Sequence, residues 1–302
     1  MTDYKPTYET SYALVIGINS YRDPALAPLG NAEEDASQLA DLLESERYKF
    51  KVKRLLGEKA TKRAIQQNLF QLRQTEPDAR VLVYFSGHGY TVTDNFGETG
   101  YLACYDTVAK EDFTALELRE VTTLRRRTKA KHVAFIFDAC FSGHALGLTK
   151  AATVTAEQFM LRRAFQVISA GAPDQTVSDY RSMTHHLLPL LRDATTMLTL
   201  EQIGVALKQR MTAESEGMQI PQHGQITGSE GGDFVFYLPP EPEALDTIDP
   251  QLADALSDAN PRMRYFALAE LERTLSDPNP HRRSYTEGVP TGYPFLIRQI
   301  AV

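Results

Sequence analysis

Two short segments of this 302-residue chain carry the side chains that nucleophilic catalysis needs. Ser86-Gly87-His88-Gly89 holds an imidazole between glycines, and Asp138-Ala139-Cys140-Phe141-Ser142-Gly143 holds a thiol in a turn closed by glycine. Cleaving an amide with a thiol requires a thiolate, a base that then serves as an acid, and donors for the oxyanion. Cys140 and His88 can supply the first two, and the turn amides of Gly89 and Cys140 can supply the donors. Glycine on both sides of His88 permits positive φ and close approach of a substrate backbone. The second cysteine, Cys104, reads as core, because free cysteines are most often buried and inert. His144, His185 and His186 read as surface or helix residues. Neither a disulfide framework nor a CxxC zinc pair is present, and two cysteines fit a reducing compartment, so a cytoplasmic location is expected.

Both turns follow apolar runs, Arg80–Phe85 and His132–Phe137, that read as buried strands. Tyr12–Ile18 reads the same way, and Phe50–Leu56 and Phe165–Ala170 read as further strands. Tyr101–Cys104 is a weaker strand, and Asp233–Tyr237 is the last. Helical spacing covers Glu33–Glu44 behind an Asn31 cap, then Thr61 to about Gln74, Leu116 to Leu124 with Arg125–Arg127 at its end, Met183–Arg192, and Leu200–Met211. The alternation predicts an α/β fold, a mostly parallel sheet with helices on both faces. Active sites of such sheets lie beyond the carboxyl ends of the strands. His88 and Cys140 both sit at such ends, so they are expected to meet.

The texture changes after Pro239-Pro240, which divides the chain into 1–240 and a helical segment, 241–302. Leu256 to Leu271 is similar to the start of a HEAT-type repeat, which must stack on something to bury its face. It is expected to pack on the first domain, to continue into more repeats beyond residue 302, or to meet a regulatory protein or domain. The net charge of −7 argues against a nucleic-acid partner, and no run approaches the ~18 apolar residues of a membrane span. Arg125–Arg127 with Lys129 and Lys131 reads as a solvated basic helix end, with a cleavage site as the other reading.

Taken together, the two motifs resemble those of cysteine peptidases of the caspase–metacaspase family. Their separation, 140 − 88 = 52 residues, is close to the ~50 of caspases. Asn31-Ala32 with Asp35-Ala36, the stretch from Ile168 to Gln175, and Gly232 to Phe236 extend the resemblance over residues 12 to about 238. It implies a thiol endopeptidase with Cys140 as nucleophile and His88 as general acid–base without an obligatory carboxylate partner. Gly89 and Cys140 amides would form the oxyanion hole. The strand containing Ser169 and Ala170 would pair with an extended polypeptide substrate by strand addition. True caspases cut after Asp and begin the cysteine motif with Gln. Here that position is Asp138, as in metacaspases, which carry a second Asp where this chain has Asp35.

Two carboxylates around a pocket hold a guanidinium or ammonium by charge-assisted bonds, so cleavage after Arg or Lys is expected, with Ser86 lining the same pocket. Read without the resemblance, Asp35 is a first-turn acid favoured by the helix dipole, and Asp138 is a carboxylate capping a turn. Lys150, Arg162 and Arg163 are the autoprocessing candidates in the loop where the family cuts itself. Asp94, Glu98 and Asp106 are too thin a cluster for calcium, which takes 6–8 oxygens. No metal, no cofactor and no calcium requirement is expected. Two other function classes compete: a silent scaffold or binding module, and another thiol hydrolase acting on a small cationic substrate.

Overall fold

The apolar runs organise one large sheet. The computed structural model describes residues 7–95, 97–140, 148–149, 156–171, 182–217, 219–237, 256 and 260–276. In chain order the strands are β1 (Thr10–Gly17), β2 (Lys51–Leu56), β3 (Ala79–Ser86), β4 (Gly89–Asp94), β5 (Gly97–Leu102), β6 (Leu116–Glu117), β7 (His132–Cys140), β8 (Leu148–Thr149), β9 (Ala164–Gly171), β10 (Leu198–Thr199), β11 (Gln222–Ile226) and β12 (Val235–Tyr237). The helices are α1 (Ala32–Glu44), α2 (Lys62–Gln71), α3 (Leu118–Thr122), α4 (Leu124–Arg127), α5 (Ala156–Leu161), α6 (Met183–Arg192), α7 (Leu200–Glu214) and α8 (Pro261–Ser276).

The main sheet has the order β2-β1-β3-β7-β9-β11-β8. The first five strands are mutually parallel, and β11 is antiparallel to both its neighbours. Alternation along the strands splits the core into two layers. Leu14, Ile16, Val83, Phe85, Phe135 and Val167 face Ile65 and Leu69 of α2 and Val121 and Leu124 of α3 and α4. Val15, Leu82, Tyr84, Ile136 and Ile168 face Leu39 and Leu43 of α1, Leu187 and Leu191 of α6, and Ile203 and Leu207 of α7. Helices therefore cover both faces, as parallel strands require.

Several elements depart from the sequence reading. The weak strand ending at Cys104 is instead Gly97–Leu102, and it pairs with β4 as a hairpin directly after His88. The helix expected from Leu116 begins with two strand residues of β6, bound to β5. β12 lies outside the main sheet and pairs with β10. β11, with the sequence Gln-His-Gly-Gln-Ile, has no strand signal of its own; pairing to β9 decides its conformation. Asn31 does occupy the cap position of α1 but makes no side-chain capping bond. Asn19 does this work: its Oδ1 accepts from Glu33 N at 3.0 Å, and Glu33 Oε1 accepts from Asn19 N at 3.1 Å. Thr61 caps α2 as read, accepting from Ala64 N at 3.2 Å.

Gly17 sets how closely α1 lies on the sheet. A Cβ there would stand 2.5 Å from Ala32 O and 2.6 Å from Ala36 Cβ. At the amino-terminal end of the sheet, buried Arg80 donates to Ser11 Oγ and to the carbonyls of Tyr48, Val235 and Phe236. Burial lowers its guanidinium to about 10. Lys131 is fully buried, donating to Thr7 O at 2.7 Å and meeting Asp78 at 3.4 Å, so the basic run is not uniformly a solvated helix end. Among the described residues no helix is long and apolar enough to cross a membrane.

The chain divides into two compact units, Met1–Leu238 and Pro239–Val302. Within the second unit the described element is α8, whose first turn has Arg262 N bonded to Asn260 Oδ1 at 3.0 Å. A HEAT pairing of two helices is not observed among the described residues.

Candidate active site

β3 and β7 are neighbouring parallel strands, and Ser86 is the register partner of Asp138. Gly87 N bonds to Asp138 O at 3.4 Å. Two residues beyond these partners come His88, just past the end of β3, and Cys140, the last residue of β7, and the two strands lie ~4.8 Å apart. The register of β7 against β9 slips by one residue between Phe137, opposite Ser169, and Cys140, opposite Gly171. Such a bulge bends a strand and re-aims its side chains, and it falls directly before the thiol position. The structure describes Cys140 by its backbone, as the last residue of β7.

His88 is held by the loop between β1 and α1. Its Nε2 lies 2.7 Å from Ala27 O, and its backbone N–H donates to Tyr21 Oη at 2.7 Å. A carbonyl only accepts, so Nε2 carries the proton and Nδ1 is the basic nitrogen of the neutral ring. The ring of Tyr21 stacks on the imidazole, with centroids 5.2 Å apart. His88 O accepts from Ala103 N at 2.9 Å, which ties the turn to the strand after β5. Gly89 opens β4, opposite Leu102.

On the α1–α6 side of the strand ends lies a buried carboxylate. Asp138 is 5% exposed. Its Oδ1 accepts from Met183 N at 3.2 Å, and its Oδ2 accepts from Thr184 N at 3.0 Å and Thr184 Oγ1 at 2.8 Å. These are amides of the first turn of α6, so the carboxylate sits at a helix N-terminus. Thr184 gives its single proton to Asp138 and must therefore accept from the Tyr84 hydroxyl, its other partner. Burial pushes the Asp138 carboxyl up to about 6. The bonds from Thr184 and Met183 oppose the shift, and the charge of Asp35 adds to it. Asp35 also acts on buried Tyr84, as does Ser86. The structure thus brings Asp35, Ser86 and Asp138 to one place.

The remaining predicted positions are more scattered. Ser169 and Ala170 are fully buried on opposite faces of β9, and Ser169 Oγ has no hydrogen-bond partner among the described residues. β9 is flanked by β7 and β11 as far as Ser169, where the β11 pairing stops. Lys150 lies outside the described residues. Arg162 O accepts from His132 Nε2 at 2.9 Å, and Arg163 O accepts from the amides of Glu230 and Gly232. Asp94 and Glu98 belong to the β4–β5 hairpin, whereas Asp106 Oδ1 accepts from Lys62 N at the start of α2. No group of three His, Cys, Asp or Glu side chains suited to a metal occurs among the described residues. Tyr21, Ala27 and Thr184 were not legible as site residues. For Thr184 a signal existed: Ser182 is a helix-start residue, and its Oγ accepts from His185 N at 3.2 Å.

The profile of the caspase domain family matches residues 10–228, more than half of the chain. The chain belongs to the caspase domain family. Its caspase domain coincides with the main sheet and both turn segments. Two solved structures share the fold. Protein GSU0716 from Geobacter sulfurreducens is 18% identical with a TM-score of 0.56, covering 76% of this chain and 98% of its own. Caspase-1 from Spodoptera frugiperda is 16% identical with a TM-score of 0.54, covering 78% and 94%. No curated protein matches the chain. Caspase-domain proteins are cysteine peptidases acting on polypeptides, so a cysteine-peptidase-like function follows at the level of the family.

Proposed function

We propose that the chain is a cysteine endopeptidase that cuts after Arg or Lys. Cys140 attacks the scissile carbonyl. His88 takes the thiol proton at Nδ1 and returns it to the leaving amine, and the Gly89 and Cys140 amides hold the oxyanion. The closeness of Asp35 to Asp138 carries the reading of specificity: Asp35, on α1, acts by its charge on Asp138, whose register partner Ser86 lies on the strand end that leads to His88. A substrate Asp placed there would meet like charge in a desolvated site. Asp138 spends three acceptor positions on α6, and a carboxylate offers about four, which leaves room for a substrate N–H. The substrate backbone pairs with β9 beyond Ser169, where β11 no longer covers it.

The enzyme is proposed to be latent until a partner, a signal or self-cleavage activates it, with the segment after residue 240 as a contact for a regulator. Exposed Met263 and Tyr265 on α8 support such a contact. For self-cleavage we favour Lys150, because a scissile segment must be extended, whereas the carbonyls of Arg162 and Arg163 are bound within the fold. Mass mapping of incubated protein should find a new amino terminus at Ala151, abolished by Lys150→Ala; a terminus at Arg163 or Ala164 would show that these bonds do not protect the segment.

A covalent probe tests the function. An acyloxymethyl ketone carrying Arg should modify Cys140, with labelling lost in His88→Ala, while the Asp counterpart should not. Labelling by the Asp probe alone overturns the pocket. Labelling by neither, in the intact chain and in the chain cleaved after Lys150 alike, with Cys140 still open to iodoacetamide, favours the scaffold reading.

A further inference from the structure

His88 follows the end of β3 and belongs to no strand or helix. Something outside the sheet must therefore fix its backbone and its ring. Tyr21 does both: its phenol oxygen accepts the His88 N–H at 2.7 Å, and its ring lies 5.2 Å from the imidazole with planes 26° apart. The phenol oxygen also stands 3.0 Å from where a Cβ on Gly87 would sit, so the turn before His88 is pressed against the same side chain. Tyr21 is 9% exposed, and burial keeps its phenol protonated.

The loop does not depend on His88 for its own position. Arg22 N bonds to Tyr105 O at 2.9 Å, Leu29 N to Asn19 O at 2.7 Å, and Asp23 accepts from Ala25 N and Ala109 N. Tyr21 is thus a fixed surface on which the histidine is laid. Ring stacking limits rotation about the Cα–Cβ and Cβ–Cγ bonds, and the accepted N–H fixes the point from which the side chain departs. Only then does Nε2 reach Ala27 O and leave Nδ1 as the basic nitrogen.

We propose that Tyr21 is the positioning residue of the active site, setting the ring plane and tautomer of His88 through a backbone hydrogen bond and a stacked ring. This rests on the reading of His88 as the acid–base group. Misplacing a catalytic group by ~1 Å costs about 100-fold. Tyr21→Phe keeps the stack and removes the acceptor; Tyr21→Leu removes both.

With both variants shown to be folded by their melting transitions, kcat on an Arg peptide should fall roughly 10-fold for Tyr21→Phe and roughly 100-fold for Tyr21→Leu, while KM moves less than about threefold. Nitrogen-15 spectra of the histidines, with His88 assigned through His88→Ala, should show the Nε2–H tautomer in the wild type and a mixture in Tyr21→Leu. Unchanged kcat and an unchanged tautomer in both variants overturn the proposal. A tautomer that shifts in Tyr21→Leu when the wild type cuts no peptide would uphold Tyr21 as the positioning residue and sink the peptidase reading instead.

Discussion

Asp138 has two duties. It caps the first turn of α6 through Met183 and Thr184, and its carboxyl feels the charge of Asp35. Its carboxyl is raised by burial to about 6, so acidification removes its negative charge near pH 6 rather than near 4. Selectivity for a basic substrate should therefore weaken as pH falls through about 6. The ratio of kcat/KM for matched Arg and Ala peptides isolates this effect, because titration of the catalytic pair cancels between them. We predict that the ratio falls at least tenfold from pH 7.5 to pH 5 in the wild type. In Asp138→Asn it should be low and flat, the loss at pH 7.5 being about 10- to 100-fold for one charge-assisted bond. The motif residues at this scale were legible because each motif is contiguous in sequence. Tyr21 and Thr184 were not, because their contacts with His88 and Asp138 form only through space.

Among the elements, α1 carries Asp35 and is held against β1 by Gly17. Gly17→Ala would drive a methyl group into Ala32 O and Ala36, and the helix must move away. Overpacking of this kind costs about 1–3 kcal/mol. We predict a loss of that size in urea unfolding, together with a reduced Arg-over-Ala ratio, because the displacement carries Asp35 from Asp138. An unchanged ratio in the folded variant would detach Asp35 from specificity. Strands β1, β3, β7 and β9 of the parallel core were readable because burial leaves long apolar runs in them. β11 and the short strands β6, β8 and β10 lack such runs and exist through their partners. The cap of α1 was misplaced for a related reason. Asn31 stands in the right position, but Asn19, twelve residues earlier, reaches the Glu33 amide.

Across the whole molecule, the first compact unit closes where Arg80 grips the carbonyls of Val235 and Phe236, near the amino end of the sheet. Nothing in the sequence marked Arg80 as more than the first residue of a strand. We predict that a chain ending at Leu238 keeps the melting transition of its catalytic unit. A chain ending at Gly232 leaves a buried guanidinium without two acceptors and should lose about 3 kcal/mol or more. Equal stability of the two truncations would show that Arg80 does not secure this edge. The sequence division near 240 rested on the Pro-Pro pair and the disappearance of strand patterning, signals that need no tertiary contact to read.

Cleavage itself is the most direct test of the central claim. Matched fluorogenic peptides ending in Arg, Lys, Asp or Ala should be assayed with wild type and Cys140→Ala side by side, with and without calcium. Release is expected after Arg and Lys alone, lost in the Cys140 variant and indifferent to calcium. Release after Asp, or release that survives in Cys140→Ala, would contradict it.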